Sequence, residues 1–297
     1  MALRDFFLLM AMCLIWASNN IVSKIVVSDM HVAPLFYAAI RFGIVAAITL
    51  PWLLPAPRPI WRMIAIAQLI GGLNFALLFV GFQTATPSAA SIIVQLGVPM
   101  TTVLSMVMLG ERVRWRRGLG MALTLAGALL VLWHPVGVSM SIGLWLIAAA
   151  ALAGSLGAVM MKQMDGVKPM QFQAWVGFCS FWPLLAMSAI FEKGQVAGAL
   201  NAGWPFLAAV LYSALIVSII AHTVYYHLIQ KYEATLISPL TLMTPLATIV
   251  MGVLITKDHF DVRMGIGAAL ALLGVLIVAL RPNHVMPLLM AIRNRAQ

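Results

Sequence analysis

Ten long apolar runs set the terms on which this chain can fold. Read between charged or Pro/Gly breaks, they cover residues 6–27, 34–54, 62–82, 88–109, 118–133, 142–162, 169–191, 204–228, 234–255 and 263–280. Crossing a hydrocarbon core takes about 20 apolar residues as a helix, because every backbone N–H and C=O must find its partner inside the segment. The runs are continuous, without the short alternating pattern of a barrel strand. Only 9% of the residues are charged, against roughly a quarter in soluble domains. The sequence therefore predicts an all-α membrane protein with ten transmembrane helices.

The net charge of +10 does not point to nucleic acid, since the basic residues fall in the short gaps between apolar runs. With the N-terminus in the cytoplasm, the inner loops and tails hold Arg4, Arg58, Arg62, Arg112, Arg114, Arg116, Arg117, Lys162, Lys168, Lys231, Arg281, Arg293 and Arg295. The outer loops hold Lys193, Lys257 and Arg263. That asymmetry predicts an inner-membrane protein with both termini cytoplasmic. Trp52, Trp61 and Trp115 fall near the inner interface, and Trp133, Trp145 and Trp204 near the outer one. The first residues, MALRDFFLLM, lack a small-residue cleavage site and read as the first span. Cys13 and Cys179 lie within apolar runs, with no disulfide framework and no metal-ligand spacing.

The chain also repeats itself. Gly118, Gly120, Ala122, Leu125 and Gly127 in the fifth run match Gly265, Gly267, Ala269, Leu272 and Gly274 in the tenth at a constant offset. Pro99 and Pro245 occupy equivalent places just before them, and Glu111 corresponds to Asp258. A repeat of five spans must enter the membrane upside down the second time. The basic loop ERVRWRR and its charge-balanced counterpart KDHFDVR agree with that reversal. The expectation is a 5+5 inverted-topology repeat, with a first half over 1–138, a second over 139–281 and a cytoplasmic tail over 282–297. The matched glycines are read as small-residue packing faces.

Several of these features resemble the drug/metabolite transporter superfamily, specifically its ten-helix EamA-type exporters. They are W-A-S-N-N-x-x-x-K from Trp16 to Lys24, A-A-I-R-F from Ala38 to Phe42, and Pro99 followed by L-G-E-R from Leu109 to Arg112. The G-x-G-x-A-L-x-L-x-G opening of the fifth helix also fits. Lys257-Asp258 departs from the acidic-led pair common in the second copy. Size and layout are similar, more loosely, to YddG-type amino-acid exporters. The resemblance implies export of small molecules.

All eight acids (Asp5, Asp29, Glu111, Asp165, Glu192, Glu233, Asp258 and Asp261) fall in loops or at helix ends. A pump for cationic drugs would want a buried carboxylate, so that route is disfavoured. Arg41 lies well inside the second helix and needs an anion, carbonyls or water. It reads either as a partner for a substrate carboxylate or as a structural group held by backbone carbonyls or Asp29. Lys24 is expected to snorkel to the outer interface. A proline frees the carbonyl four residues earlier, so Pro99 and Pro245 are expected as hinges that expose Gln95 and Thr241. Asn19, Asn20 and Asn74 add amides to the candidate substrate site, and Trp16, Tyr37, Phe79 and Tyr225 add aromatic walls. His222 is the candidate for proton coupling.

A cation, amides and aromatic walls together suit a neutral or aromatic amino acid. There is no G-x-x-x-x-G-K-[ST] loop, no cofactor is expected, and a secondary carrier working by alternating access is predicted. The partners expected are a small-molecule substrate and membrane lipid, with a monomer favoured over an obligate oligomer. The alternatives are export of another small metabolite (nucleobase, sugar derivative or drug), and a membrane-embedded enzyme.

Overall fold

A computed structural model describes residues 3–110, 115–132, 141–161, 163–164, 166–231, 241 and 243–279. The loop residues Glu111, Arg112 and Arg114, then Trp133, Lys162, Asp165, Glu233, the start of the ninth run (234–240), the boundary at 138/139 and the tail 282–297 lie outside these. The chain forms ten helical runs over the described residues. They are α1 (Leu3–Asp29), α2 (Pro34–Trp52), α3 (Ile60–Gly81), α4 (Pro87–Leu109), α5 (Trp115–Leu132), α6 (Ile142–Met161), α7 (Pro169–Phe191), α8 (Gln195–Lys231), α9 (Met243–Ile255) and α10 (Val262–Ala279). Seven are long and apolar enough to cross a membrane, and α5, α9 and α10 contain shorter apolar stretches. Large apolar side chains such as Ile48, Val107, Leu129, Leu152 and Leu254 face outward, as a lipid-solvated surface requires.

Side-chain contacts at the helix ends fix the direction of each half. On the face away from the N-terminus (the far face), Lys24 and Ser28 at the end of α1 meet Phe82 at the end of α3. There Glu192, just past α7, accepts from the first free amides of α2, Leu35 and Phe36. Gly143 at the start of α6 donates to Thr84. At the opposite, near face, Trp175 early in α7 donates to Leu53 at the end of α2. So α1 begins at the near face and α6 at the far one, and α2 and α7 run antiparallel. The five-helix repeat is inverted.

The matched glycines sit where that inversion brings the halves together. A Cβ on Gly127 would meet the backbone of Gly267 and Ala271, and one on Gly274 would meet Gly120 and Thr124. The α5 and α10 backbones thus touch antiparallel, at a separation that only small residues permit. Gly118 has open space around it, so the seam uses only part of the motif.

Irregular turns are where the sequence demands them or where the packing does. One turn ahead of Pro99, α4 tightens into a 3-10 turn at Val94–Leu96, consistent with the proline ring crowding the carbonyl four residues back. The predicted start of the eighth span at 204 coincides with a break in α8 at Gly203, whose φ of 61° and ψ of −143° suit glycine alone. Among the described residues three segments are π-helical: Ile25–Asp29 in α1, Gln68–Gly72 in α3 and Tyr212–Ala221 in α8. Pro99 and Pro245 are 146 residues apart, and the same step carries the α3 segment onto the middle of the α8 one. Such turns are uncommon and concentrate at functional sites.

Candidate functional site

Between α1, the α3–α4 turn and the start of α9 lies a cavity of about 250 Å³. Pockets for drug-sized ligands run to roughly 300–1,000 Å³, and this one, smaller than that range, has room for a small metabolite. Trp16, Leu78, Phe82, Ala90, Val94 and Pro245 form its apolar walls. Asn20, Ser91, Gln95, Thr241 and Thr244 supply its polar groups. None of these carries a formal charge.

Helix geometry explains the convergence. Trp16 and Asn20 are four residues apart and share a face of α1, as Ser91 and Gln95 do on α4. The irregular turn at Val94–Leu96 places Gln95 beside the cavity, opposite Thr241 and Pro245 of the inverted copy. Asn20 donates to the Thr248 hydroxyl (3.3 Å), leaving its amide oxygen and second hydrogen for a guest. Gln95 makes no side-chain hydrogen bond among the described residues. Trp16 packs edge-on against Tyr225 (5.1 Å) and beside His222 (5.3 Å), and its indole N–H is buried without an acceptor among the described residues.

The remaining expected site residues do not line this cavity. Arg41, 1% exposed, lies in solid core. Its guanidinium carbon sits 4.5 Å from the centre of the Phe75 ring, with Phe42 and Phe79 close by, and its Nε donates to the Ser218 hydroxyl (3.0 Å). Aromatic faces thus take the place of the carbonyls or Asp29 named as its structural partners. Ser218 in turn donates to the Ser213 carbonyl (3.0 Å). Ser213 gives its own hydroxyl hydrogen to Asn19 (2.8 Å), so Tyr37 must be the donor in the 2.5 Å contact between Tyr37 and Ser213. Phe79 stacks on Tyr37 at 4.8 Å. Asn19, Tyr37, Arg41 and Phe79 therefore form one packed cluster clasping the π-helical segment of α8.

The matching segment of α3 is clasped from α7. Gln68 donates to the Cys179 carbonyl and Ser180 to that of Ala67 (3.3 Å). Asn74 donates to Ala150 of α6 (2.6 Å) against Gly154, a helix-packing contact. His222 stands behind Trp16 and donates from Nδ1 to the Val217 carbonyl (2.7 Å).

Lys24 stays at the far end of the bundle, where its ammonium donates to the carbonyl of Phe82, which closes α3 and lines the cavity (2.8 Å). Sequence reasoning passed over Ser91 and Thr244, although each stood one helical turn or one residue from a position already singled out. Ser213, Ser218 and the capping role of Asp258, which accepts from the Ser88 amide (2.9 Å), had no local signal.

Comparison with known proteins agrees with this architecture. The model of the EamA-like transporter family matches twice, at residues 4–133 and 140–280. A "probable amino-acid metabolite efflux pump" of Salmonella typhimurium is 23% identical over 287 residues, covering 93% of this chain and 95% of that protein. Its Escherichia coli counterpart of the same name is equally similar. The "uncharacterized inner membrane transporter YedA" of Escherichia coli is 26% identical over 253 residues, 82% of this chain and 80% of that protein. A solved crystal structure superposes with a TM-score of 0.64 over 93% of this chain and 96% of its own, at 18% identity, a likeness of fold.

Proposed function

From the premise that the chain belongs to the EamA-like transporter family, we propose that it exports small metabolites, neutral or aromatic amino acids first among them, across the inner membrane as a secondary carrier. The cavity carries this reading: about 250 Å³, walled by aromatic and aliphatic groups, and furnished with neutral amides and hydroxyls. Amino-acid efflux is what two relatives are named for, and such a cargo fits this size and lining. We place the near face in the cytoplasm, on the distribution of Lys and Arg among the loops.

The proposed mechanism is alternating access, with the halves 1–138 and 139–281 rocking about a site at their shared interface. Gln95 and Thr241 come to that site from equivalent places in the two copies, beside Pro99 and Pro245 as the proposed hinges. Asn20, Gln95 and Thr241 would take the hydrogen bonds of the cargo, and Trp16 its apolar part. Arg41, Tyr37, Asn19 and Phe79 act at a distance, by fixing α8 against α2. His222 stays the candidate for proton coupling, through its Nε2, since Nδ1 holds Val217. The working unit is a monomer.

The test is counterflow. Liposomes containing the purified chain and loaded with unlabelled phenylalanine should accumulate labelled phenylalanine transiently, and Gln95→Ala should cut the initial rate about tenfold, the equivalent of one good hydrogen bond. Equal rates for the two proteins would remove the cavity from the mechanism. Exchange of a labelled nucleobase or sugar in place of any amino acid would keep the carrier and replace the cargo.

A further inference from the structure

Trp16 and Asn20 line the cavity, and Lys24 follows at the same four-residue step. It therefore stands on the same face of α1, one turn nearer the far face. Its ammonium donates to the Phe82 carbonyl, and Ser28 donates to the same oxygen (3.0 Å). Phe82 lines the cavity and opens the turn into α4, whose Ala90 and Ser91 line it too. On the other side of that turn Asp258, buried and held by Thr256 (2.7 Å), accepts from the Ser88 amide. The turn over the far end of the cavity is thus pinned from α1 and from the α9–α10 loop.

An ammonium has three N–H donors, and among the described residues Lys24 uses one, on the carbonyl that closes α3, while Asp29 and Asp258 act on it electrostatically without a direct ion pair. Ionised acceptors bind an ammonium roughly twice as strongly as neutral ones. A carboxylate in the cavity would therefore draw the ammonium off Phe82. Two donors of the ammonium thus remain for an anionic partner on this face of α1.

Resting on the export reading above, we propose that Lys24 recognises a carboxylate on the cargo, and that this recognition unpins the far-face turn. Cargo entering from the near face takes the ammonium from Phe82, the Phe82 carbonyl keeps only Ser28, and the turn into α4 is released. Loading at one face then opens the other, which is the order export needs. Lys24 becomes both the residue that selects for an anionic group and the trigger of the far gate.

The experiment uses the full chain in bacterial spheroplasts, with Ala85→Cys in the turn as reporter and Cys13→Ser and Cys179→Ser as background. Ala85 is buried and does not line the cavity, so a membrane-impermeant maleimide should label the reporter slowly while the turn is pinned. Loading with phenylalanine should raise the rate about tenfold, a shift of about 1.4 kcal/mol in the gate equilibrium. Phenylalaninamide, which lacks the carboxylate, should leave it unchanged. Lys24→Met should label fast without cargo and ignore phenylalanine, whereas Lys24→Arg should keep the response. Equal responses to phenylalanine and its amide, or a Lys24→Met protein that still responds, would overturn the proposal. If no amino acid shifts the melting temperature of the parent, the cargo reading above falls. Lys24 is then judged by cargo-free labelling: a raised rate in Lys24→Met supports its pinning role, and an unchanged one defeats it.

Discussion

Two polar clusters lie inside this apolar bundle, and they are built on opposite principles. Around Gln95 the groups are neutral and face open space. Around Arg41 the central group is charged and no space is left: three aromatic rings and a serine surround it. Desolvating a charge costs far more than desolvating an amide, and the Arg41 guanidinium offsets that cost with one hydrogen bond and three aromatic faces, its Nη1 having no hydrogen-bond partner among the described residues. A neutral amide can wait for a guest. On the proposed reading, the difference separates two tasks that the sequence had merged into one site: the cavity would meet the cargo, while the Arg41 cluster packs the π-helical segment of α8 against α2.

Substitutions can break that distinction. The largest effect is expected from Arg41→Ala. It empties the space among Phe42, Phe75 and Phe79 and leaves Ser218 without its donor, a loss of about 3–5 kcal/mol by comparison with other large buried side chains. Melting in detergent should fall steeply, and transport of every substrate should decline together. An Arg41→Ala protein with normal stability and a selective loss of carboxylated substrates would return Arg41 to the binding site. Gln95→Ala should do the reverse: about a tenfold loss of transport with melting unchanged, because no described group depends on its side chain. Asn20→Ala falls between. It loses a cargo contact and also leaves the buried Thr248 hydroxyl without its donor, so both readouts should move, each by about 1 kcal/mol.

How far the sequence could anticipate this follows from the range of each interaction. Span positions, inversion and the glycine seam were legible, because apolar length and duplicated residues are local or periodic signals. Trp16, Asn20, Gln95 and Thr241 were legible because a proline marks the carbonyl four residues back and helix faces repeat every four. The fate of Arg41 was not: its burial cost could be read, but Ser218 is 177 residues away and the Phe75 ring arrives from another helix. The partner of Lys24 was hidden for the same reason: its face on α1 was readable, the Phe82 carbonyl that closes α3 was not. The π-helical segments have no composition signature, and only the repeat relation between α3 and α8 gives their placement meaning.

Tyr37→Phe offers the finest cut between the two clusters. The ring keeps its stacking on Phe79, and only the hydroxyl that donates to Ser213 is lost. Ser213 still donates to Asn19, so what disappears is one donor to an oxygen already engaged, worth about 1 kcal/mol. A small drop in melting temperature with an unchanged KM for phenylalanine is expected, since Tyr37 touches the α8 segment and not the cavity. Should KM rise while stability holds, the hydroxyl must meet the cargo in another access state, and the cluster would then be a second half of the binding site that assembles only when the halves rock. Repeating the measurement with Ser213→Ala decides between these outcomes. A hydroxyl that matters only for packing leaves KM normal in both proteins, with Ser213→Ala the less stable because it also loses the bond to Asn19, and one that meets cargo raises KM in Tyr37→Phe alone.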